Sequence, residues 1–437
     1  MTISERDREA IWHPYTQHKI TPLPITIQRG KGAWLYDEKG NRLLDLISSW
    51  WVNIHGHAHP DIAKAIFDQA MTLEHVIFSS FTHEPAVQFA EQLLEILPGH
   101  FSKIFYSDNG STAVEVALKM AYQYWRNQGE KKRHRFIAFT NGYHGDTFGT
   151  MSVGKKSGFF TAYEDLFFDV DFIDYPSTWI HDEMVLQKEQ KILSDLDEHL
   201  KKYAHETAAI LLEPLIQGAG GMQMCRPEFL LNLETLVRSY NILIIYDEVM
   251  TGFGRTGDFF ACQKANTTPD IICLSKGITG GFLPFAVTAC TEKIYQAFLG
   301  DDFGSALAHG HSYAGNPLSC AAALASLVLL KKSETKKQQQ MIERTHQSGL
   351  DYLADNSRVE KMRLCGTVAA FDLKILNQYG SKESVNLRAT FQKKGLLIRP
   401  IGNVIYLLPP YCIEETDLKM SYAMIAEALE ESTVCQK

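Results

Sequence analysis

The sequence predicts an α/β protein in which helices flank a mostly parallel sheet. Short apolar runs that suit buried strands alternate with helical segments between about residues 103 and 290, which is typical of such sheets. Two of the runs, residues 241–246 and 271–274, are rich in Ile and Leu and end abruptly at polar residues. A chain of 437 residues is long enough for two domains and a large core.

Composition and charge exclude several classes of function. The net charge of −8 argues against a nucleic-acid partner, and no apolar run reaches the roughly 18 residues that a membrane span needs. The amino-terminal segment MTISERDREA is charged and lacks the apolar core of a signal peptide, so a cytoplasmic location is expected. The eight cysteines are scattered without a C-x-x-C pair, which favours reduced thiols over disulfides or zinc.

The first hundred residues predict a hairpin, a histidine-rich loop and two helices. Residues 34–45 predict the hairpin, because two short apolar runs flank a Gly-Asn turn. The segment HGHAHP at residues 55–60 could place three histidines on one face of a strand. Its glycine and proline favour a loop, and no carboxylate or thiolate cluster accompanies it, so we predict no metal site. Asp61 and Glu84 are typical helix starts.

A candidate anion site follows the predicted strand at residues 103–107. This strand leads into Asp108-Asn109-Gly110-Ser111-Thr112 and a helical pattern at residues 113–128. Backbone N–H groups and the helix dipole converge on a phosphate at such a helix start. The alternative is an ordinary loop with hydroxyl caps.

Further strands are predicted at residues 135–140 and 208–212. Tyr143 lies in the glycine-rich loop after the first of them, where its ring could lie flat on a cofactor. The polar segment 171–206 favours surface helices. After Lys276, a long helix is predicted from about residue 318 to residue 331.

An acid and a lysine end the two apolar runs named first. Asp247-Glu248 follows residues 241–246, and Lys276 follows residues 271–274. Ligands of open α/β sheets bind beyond the carboxyl ends of the strands, so both side chains would face one crevice. Pyridoxal phosphate (PLP) needs a lysine to hold it as a Schiff base and an acid to keep its ring nitrogen protonated. The alternative is a structural ion pair.

Two other motifs are weaker. Gly252, Gly254 and Gly257 match the dinucleotide pattern G-x-G-x-x-G, but no helical pattern opens at that point, so we reject dinucleotide binding. Arg399 ends an apolar run and could offer a two-pronged partner to a substrate carboxylate. The alternative for Arg399 is an ordinary surface arginine.

Together the motifs DNGST, GYHGDT, EPLIQGAGG, DEVMTGFGRTG, LSKG and HSYAGNP resemble the class III, or omega-type, PLP-dependent aminotransferases. The resemblance implies PLP fold type I, with a large domain around a seven-stranded sheet and a small α/β domain built from both termini. It implies a small domain from residues 1–50 and 332–437, and a large PLP-binding domain at residues 51–331. It also implies a homodimer with shared active sites.

The segments WHPYTQ, SSWW and LIRP narrow the resemblance to the branch that acts in biotin synthesis. That branch uses 8-amino-7-oxononanoate as acceptor and mostly S-adenosylmethionine as amino donor, although some of its members accept lysine instead. Other members of the family use lysine or another amine as donor. A glutamate-1-semialdehyde-type aminomutase and a PLP-binding protein without turnover remain alternatives.

The resemblance assigns roles to individual residues. Lys276 would carry the cofactor, Asp247 would bind its ring nitrogen, and Tyr143 would cover its ring. Its phosphate would be held by Gly110 and Ser111, and by Ser312 with His311 from the partner subunit. The implied substrate-binding residues are Tyr15, Trp50, Tyr143, Lys276, Gly310 and Arg399, with Trp51, Asp146, Arg255 and Tyr406 as weaker candidates.

Two positions depart from the common family pattern. Many members have glutamine where this chain has Met250, and an apolar residue there supports the biotin branch. The partner segment often has Gly-Pro-Thr where this chain has Gly310-His311-Ser312. Ser312 keeps a hydroxyl donor for the phosphate.

Overall fold

The structure is a computed structural model that describes residues 1–374 and 382–431. The chain forms two compact units, one of Met1–His59 with Ser333–Lys437 and one of Pro60–Lys332. The first boundary therefore falls later than the domain limit predicted at residue 50. The assignment of domains to the predicted segments stays a prediction.

Helices and strands are numbered in chain order. The helices of the described chain are α1 Ile3–Ala10, α2 Ser48–Trp51, α3 Pro60–Ala70, α4 Glu84–Ile96, α5 Gly110–Asn127, α6 Phe148–Val153, α7 Val185–Tyr203, α8 Pro227–Ser239, α9 Ala261–Ala265, α10 Glu292–Gln296, α11 Pro317–Leu330, α12 Ser333–Leu353, α13 Lys382–Lys393 and α14 Glu415–Glu431. The strands are β1 Ile27–Lys31, β2 Trp34–Asp37, β3 Arg42–Asp45, β4 Phe101–Ser107, β5 Arg135–Phe139, β6 Asp171–Ile173, β7 Thr207–Leu212, β8 Ile216–Gln217, β9 Gln223–Met224, β10 Leu243–Asp247, β11 Ile271–Leu274, β12 Ala286–Thr291, β13 Val359–Cys365, β14 Val368–Leu373, β15 Leu396–Leu397 and β16 Val404–Leu407.

The second unit is built around a sheet whose seven described strands run in the order β4-β12-β11-β10-β7-β5-β6. β12 is antiparallel to β11 and β4, and the other neighbours pair in parallel. β7, β10 and β11 are buried along their whole length, which explains their runs of Ile and Leu. α5 and the sheet share one buried cluster of apolar side chains. The predicted α/β fold with a mostly parallel sheet is confirmed.

Two details of the prediction are wrong. The segment 171–206 contains the edge strand β6 as well as the long helix α7. A strand of three residues is too short to show an alternating pattern of apolar residues. A five-residue helix, α9, opens after the glycine-rich loop that was rejected as a dinucleotide motif. Such a short helix shows no recognisable periodicity in the sequence.

The first unit joins segments from both ends of the chain. β2 and β3 form the predicted antiparallel hairpin, in which Trp34 lies opposite Leu44. β15 adds to β3 in parallel, with Leu396 opposite Leu44. The order of this sheet is β1-β2-β3-β15, and a second sheet has the order β13-β14-β16. The amino-terminal hairpin thus depends on a strand from the carboxyl-terminal segment.

Two kinds of feature are absent from the described residues. None of the described helices combines the length and apolar composition that a membrane span requires. The same residues contain no group of three or more His, Cys, Asp or Glu side chains arranged to hold a metal ion.

A buried histidine connects two helices of the first unit. His346 of α12 is fully buried, with Nδ1 2.8 Å from the hydroxyl oxygen of Tyr422 of α14 and Nε2 3.2 Å from the carbonyl oxygen of Thr367. Nε2 therefore donates to the carbonyl, and Nδ1 accepts from the tyrosine hydroxyl. Burial lowers the pKa of His346 to about 3.

This histidine should make the protein sensitive to acid. The folded-state pKa is depressed, so unfolded chains bind a proton on His346 below about pH 6.5 while folded chains do not. The free energy of unfolding should fall by about 2 kcal/mol between pH 6.5 and pH 5 from this group alone. His346→Gln should reduce that pH dependence in urea unfolding at constant ionic strength. An unchanged slope between these pH values would contradict the assignment.

Candidate active site

The predicted acid and lysine lie at one edge of the sheet of the second unit. β10 ends at Asp247, which is in register with Cys273 of β11. Lys276 follows β11 at the start of the short 3₁₀ helix Lys276–Thr279. Its φ of 44° is left-handed, which costs energy for a residue other than glycine. The carboxyl ends of two adjacent parallel strands therefore carry Asp247 and the strained Lys276.

A histidine holds the carboxylate of Asp247. Oδ2 of Asp247 lies 2.8 Å from Nδ1 of His144, and Oδ1 accepts the N–H of Val249 at 3.1 Å. Both side chains are buried, and Nδ1 donates because a carboxylate can only accept. Nε2 of His144 is buried without a hydrogen-bond partner among the described residues. The loop after β5 thus supplies a partner that fixes Asp247.

A second carboxyl group, Glu213, stands at the end of β7, the strand next to β10. Oε2 accepts the N–H of Tyr143 at 3.1 Å, and Oε1 accepts the N–H of Gly218 at 3.0 Å. Burial raises the pKa of Glu213 to about 7, with Asp247 adding to the rise and His144 opposing it. Glu213 therefore connects the backbone at Tyr143 to the charges around Asp247.

Sequence reasoning missed both His144 and Glu213 as site residues. The signals were present, since His144 lies within GYHGDT and Glu213 ends an apolar run as Asp247 does.

Glu248 serves a different purpose from its neighbour Asp247. Its side chain is fully buried and accepts the N–H groups of Ala261 at 2.7 Å and Cys262 at 2.8 Å, at the start of α9. Burial raises the pKa of Glu248. The carboxyl group thus caps the start of α9 after the glycine-rich loop.

Lys276 has an environment that favours its neutral amine. Burial lowers the pKa of Lys276 and Arg255 lowers it further, while Asp247 and Glu213 act in the opposite direction. Arg255 is itself almost fully buried. A lysine of lowered pKa can act as a nucleophile and as a base near neutral pH.

The predicted anion site and the tyrosine loop meet at Ser111. α5 begins at Gly110 and is capped by Asn109, whose Oδ1 accepts the N–H of Thr112 at 3.0 Å. Oγ of Ser111 accepts the N–H of Asp146 at 3.1 Å. A side chain on Gly145 would place its Cβ 2.2 Å from Oγ of Ser111, so only glycine allows this approach.

The ring of Tyr143 is held from two directions. It stacks on Phe160 with 6.0 Å between ring centroids and an interplanar angle of 24°. Its hydroxyl donates to Oδ1 of Asp146 at 3.0 Å. Tyr143 and Asp146 thus form one ordered loop with the helix start at Ser111.

The first unit brings together three of the predicted substrate residues. The rings of Trp50 and Tyr15 meet edge to face, with 6.1 Å between their centroids. The guanidinium of Arg399 lies 4.8 Å from the centroid of the Trp50 ring. Trp51 instead faces the interior, where its Nε1 donates to the hydroxyl of Tyr406 at 3.2 Å. Trp50, Tyr15 and Arg399 therefore form an aromatic and cationic cluster, which we call the Trp50 cluster.

The remaining predicted residues precede α11. Gly310 and Ser312 are exposed and His311 is partly exposed, with Nδ1 of His311 accepting the N–H of Tyr313 at 3.2 Å. Their contribution to a partner subunit stays a prediction, as do the roles of the other site residues.

Comparison with known proteins identifies the family. The family model described as aminotransferase class-III matches residues 15–429. The chain belongs to the class III aminotransferases. The resemblance, the enzyme class and the dependence on PLP that the motifs predicted are thereby confirmed.

Relatives of this class III aminotransferase extend over nearly the whole chain. A curated protein of Synechococcus elongatus named adenosylmethionine-8-amino-7-oxononanoate aminotransferase is 51% identical over 423 residues, which cover 96% of this chain and 98% of that protein. One of the same name from Geobacter sulfurreducens is 40% identical and covers 95% of each.

Two solved structures extend the likeness to the fold. The crystal structure of the enzyme of that name from Methanocaldococcus jannaschii matches with a TM-score of 0.91 at 36% identity, over 99% of both chains. A PLP-bound amine transaminase from an uncultivated Pseudomonas species matches with a TM-score of 0.90 at 30% identity, over 96% of this chain and 98% of that chain.

Gly145→Ala should disturb the site through its clash with Ser111. Gly129→Ala is the matched control, because Gly129 also has a positive φ but a Cβ there would meet nothing within 4 Å. Both variants carry the backbone strain, and only the first also carries the clash. We expect Gly145→Ala to lose about 2 kcal/mol more stability in urea unfolding. Equal losses would show that Ser111 moves aside at no cost.

Proposed function

We propose that this aminotransferase transfers the amino group of S-adenosylmethionine to 8-amino-7-oxononanoate, giving 7,8-diaminononanoate for biotin synthesis. The observation that carries the proposal is the near full-length identity, 51% in one case, to proteins named for this donor and acceptor. The Trp50 cluster supports it, because aromatic faces and a guanidinium suit an apolar chain that ends in a carboxylate.

The residues of the second unit fit PLP. The fit rests on a buried carboxylate at Asp247, a lysine of lowered pKa at Lys276 and the start of α5 at Gly110, where backbone N–H groups can hold an anion. Lys276 would hold the cofactor covalently, and Asp247 would pair with its ring nitrogen. The N–H groups at Gly110 and Ser111 would hold its phosphate, and Tyr143 would cover its ring.

When bound, PLP supplies an electron sink for the charge that develops at the carbon bearing the amino group. A substrate amine would take the place of Nζ on the cofactor. The freed Nζ of Lys276 would then accept the proton from that carbon and later return a proton, which its lowered pKa permits near neutral pH. Asp247, oriented by His144, keeps negative charge at a fixed position in a buried site. Glu213 holds the backbone of Tyr143 in place beside them.

The acceptor's carboxylate would bind to Arg399 through paired hydrogen bonds. Trp50 and Tyr15 would line the path of its apolar chain. The sulfonium of the donor is a cation that can rest against aromatic faces, as Arg399 does against Trp50. Such contacts would let two substrates of different charge use one set of aromatic side chains.

The enzyme would work in the cytoplasm as a homodimer with shared active sites and no nucleic-acid partner. The exposed segment Gly310-His311-Ser312 would complete the site of the partner subunit, with Ser312 and His311 at the cofactor phosphate.

A donor screen tests the proposed reaction. The PLP-loaded enzyme is mixed with 8-amino-7-oxononanoate and one candidate donor, either S-adenosylmethionine, lysine or alanine, and the diamine product is measured by mass spectrometry. We expect product with S-adenosylmethionine and none with Lys276→Ala, whose amine is missing. Product with lysine or alanine alone would overturn the donor, and turnover by Lys276→Ala would overturn the role of the lysine. Nitrogen transfer within a single substrate would indicate a mutase.

Arg399→Ala should weaken binding of the acceptor more than it slows the half-reaction with the donor. Loss of a charge-assisted pair should raise the acceptor's KM by about 10- to 100-fold, with little change in the half-reaction with the donor. Arg29→Ala is the matched control, because Arg29 also stacks on an aromatic ring, that of Tyr36 at 3.7 Å, and is not a predicted site residue. Equal losses in both half-reactions would instead indicate a general structural role for Arg399.

A further inference from the structure

Trp50 lies in α2, a single turn whose backbone is non-helical at Ser49 and Trp50. Ser48, Ser49 and Trp51 have φ values of 48°, 60° and 69°, all in the left-handed region. An L-residue adopts this region at a cost, and a group of such residues persists only where surrounding contacts hold it.

Asp45 supplies contacts of this kind at the end of β3. Its side chain is fully buried. Oδ2 accepts the N–H of Ser49 at 2.7 Å and the hydroxyl of Ser49 at 3.1 Å, and Oδ1 accepts the N–H of Ile47 at 3.2 Å. Hydrogen bonds to a carboxylate are stronger than those between neutral groups, so Asp45 can hold a strained turn.

A histidine orients this carboxylate in turn. Nε2 of His57 donates to Oδ2 of Asp45 at 3.0 Å, and Nδ1 of His57 lies 3.0 Å from Nδ2 of Asn53. Backbone hydrogen bonds tie His57 to Gly32, which lies between β1 and β2. The chain Asn53–His57–Asp45 therefore fixes the turn to a sheet instead of leaving it as a surface loop.

The turn places its two tryptophans in different surroundings. Trp51 is buried and donates to Tyr406, while Trp50 stays 39% exposed within the Trp50 cluster. We propose that Asp45 is a positioning residue for substrate binding, which holds the turn at Ser49 and thereby places the ring of Trp50 against Tyr15 and Arg399. The inference rests on the proposed function insofar as Trp50 contacts substrate.

The test is a double-mutant cycle of Asp45→Asn with Trp50→Ala. An amide keeps one acceptor oxygen but replaces the other with a donor, so the turn loses part of its support. Asp45→Asn should raise the acceptor's KM by about tenfold with a smaller change in kcat, and in the Trp50→Ala background it should add less than about twofold. Full additivity, or an unchanged KM in folded Asp45→Asn, would overturn the proposal.

Asp372→Asn is the matched control, because Asp372 is another buried carboxylate of the same unit, paired with Arg363 at 2.7 Å. It should lower the unfolding temperature and leave the acceptor's KM unchanged. A KM increase equal to that of Asp45→Asn would indicate only a general loss of stability and overturn the positioning role. If Asp45→Asn does not fold, His57→Phe removes the Nε2 donor instead, and an unchanged KM in that variant has the same meaning.

A fluorescence measurement tests the positioning role independently of the proposed reaction. The emission of Trp50 is taken as the difference between each protein and its Trp50→Phe counterpart, in the presence of a neutral quencher. Asp45→Asn should change the quenching of this difference signal, and Asp372→Asn should not. The result holds even if no substrate is turned over, so failure of the proposed reaction and failure of the positioning role remain distinguishable. Unchanged quenching in Asp45→Asn would overturn the positioning role.

Discussion

The candidate active site depends on a negative charge kept at the carboxyl end of a buried strand. A carboxylate at the end of β10 loses much of its hydration, and a buried ion that loses its partner destabilises a protein by about 3–5 kcal/mol. His144 and the N–H of Val249 compensate Asp247 at 2.8 Å and 3.1 Å. The same charge helps to raise the pKa of Glu213 to about 7 and opposes the fall in the pKa of Lys276. Asp247 therefore influences the protonation of the groups around it.

The Trp50 cluster follows a different physical logic. A guanidinium can use its face and its edge at once, because the face stacks on an aromatic ring while the N–H donors lie in the plane. Stacking of Arg399 on Trp50 at 4.8 Å is therefore compatible with in-plane binding of a carboxylate. An exposed cation–π contact contributes about 0.5–1 kcal/mol, enough to bias the orientation of the side chain before a ligand arrives. If Arg399 binds a carboxylate as proposed, this bias would reduce the conformational entropy lost on binding.

Sequence patterns predicted what depends on local order. The apolar runs before Asp247 and Lys276 located both side chains at strand ends, and the turn at residues 34–45 located a hairpin that β2 and β3 form. The proximity of His144 and Glu213 to Asp247 depends on which strands become neighbours. That pairing joins β10 to β7 across more than thirty residues. The role of Asp45 depends on a strained turn that no local pattern encodes. β6 and α9 were missed because they are too short to show a period.

Asp247 and Glu248 show how adjacent carboxyl groups acquire separate tasks. Successive residues at a strand end point to opposite sides, so one carboxyl group meets His144 and the other meets the start of α9. Glu248 has its oxygens occupied by backbone N–H groups, and burial raises its pKa, so it stabilises the loop and not a reacting charge. Two carboxyl groups of a protein can act together as acid and base only if both face the same substrate. Asp247 and Glu248 lie on two sides of the chain, so they do not form such a pair. Asp247 is therefore left as the member that can stabilise a charge in the site, and the adjacent Glu248 fixes the glycine-rich loop that follows it.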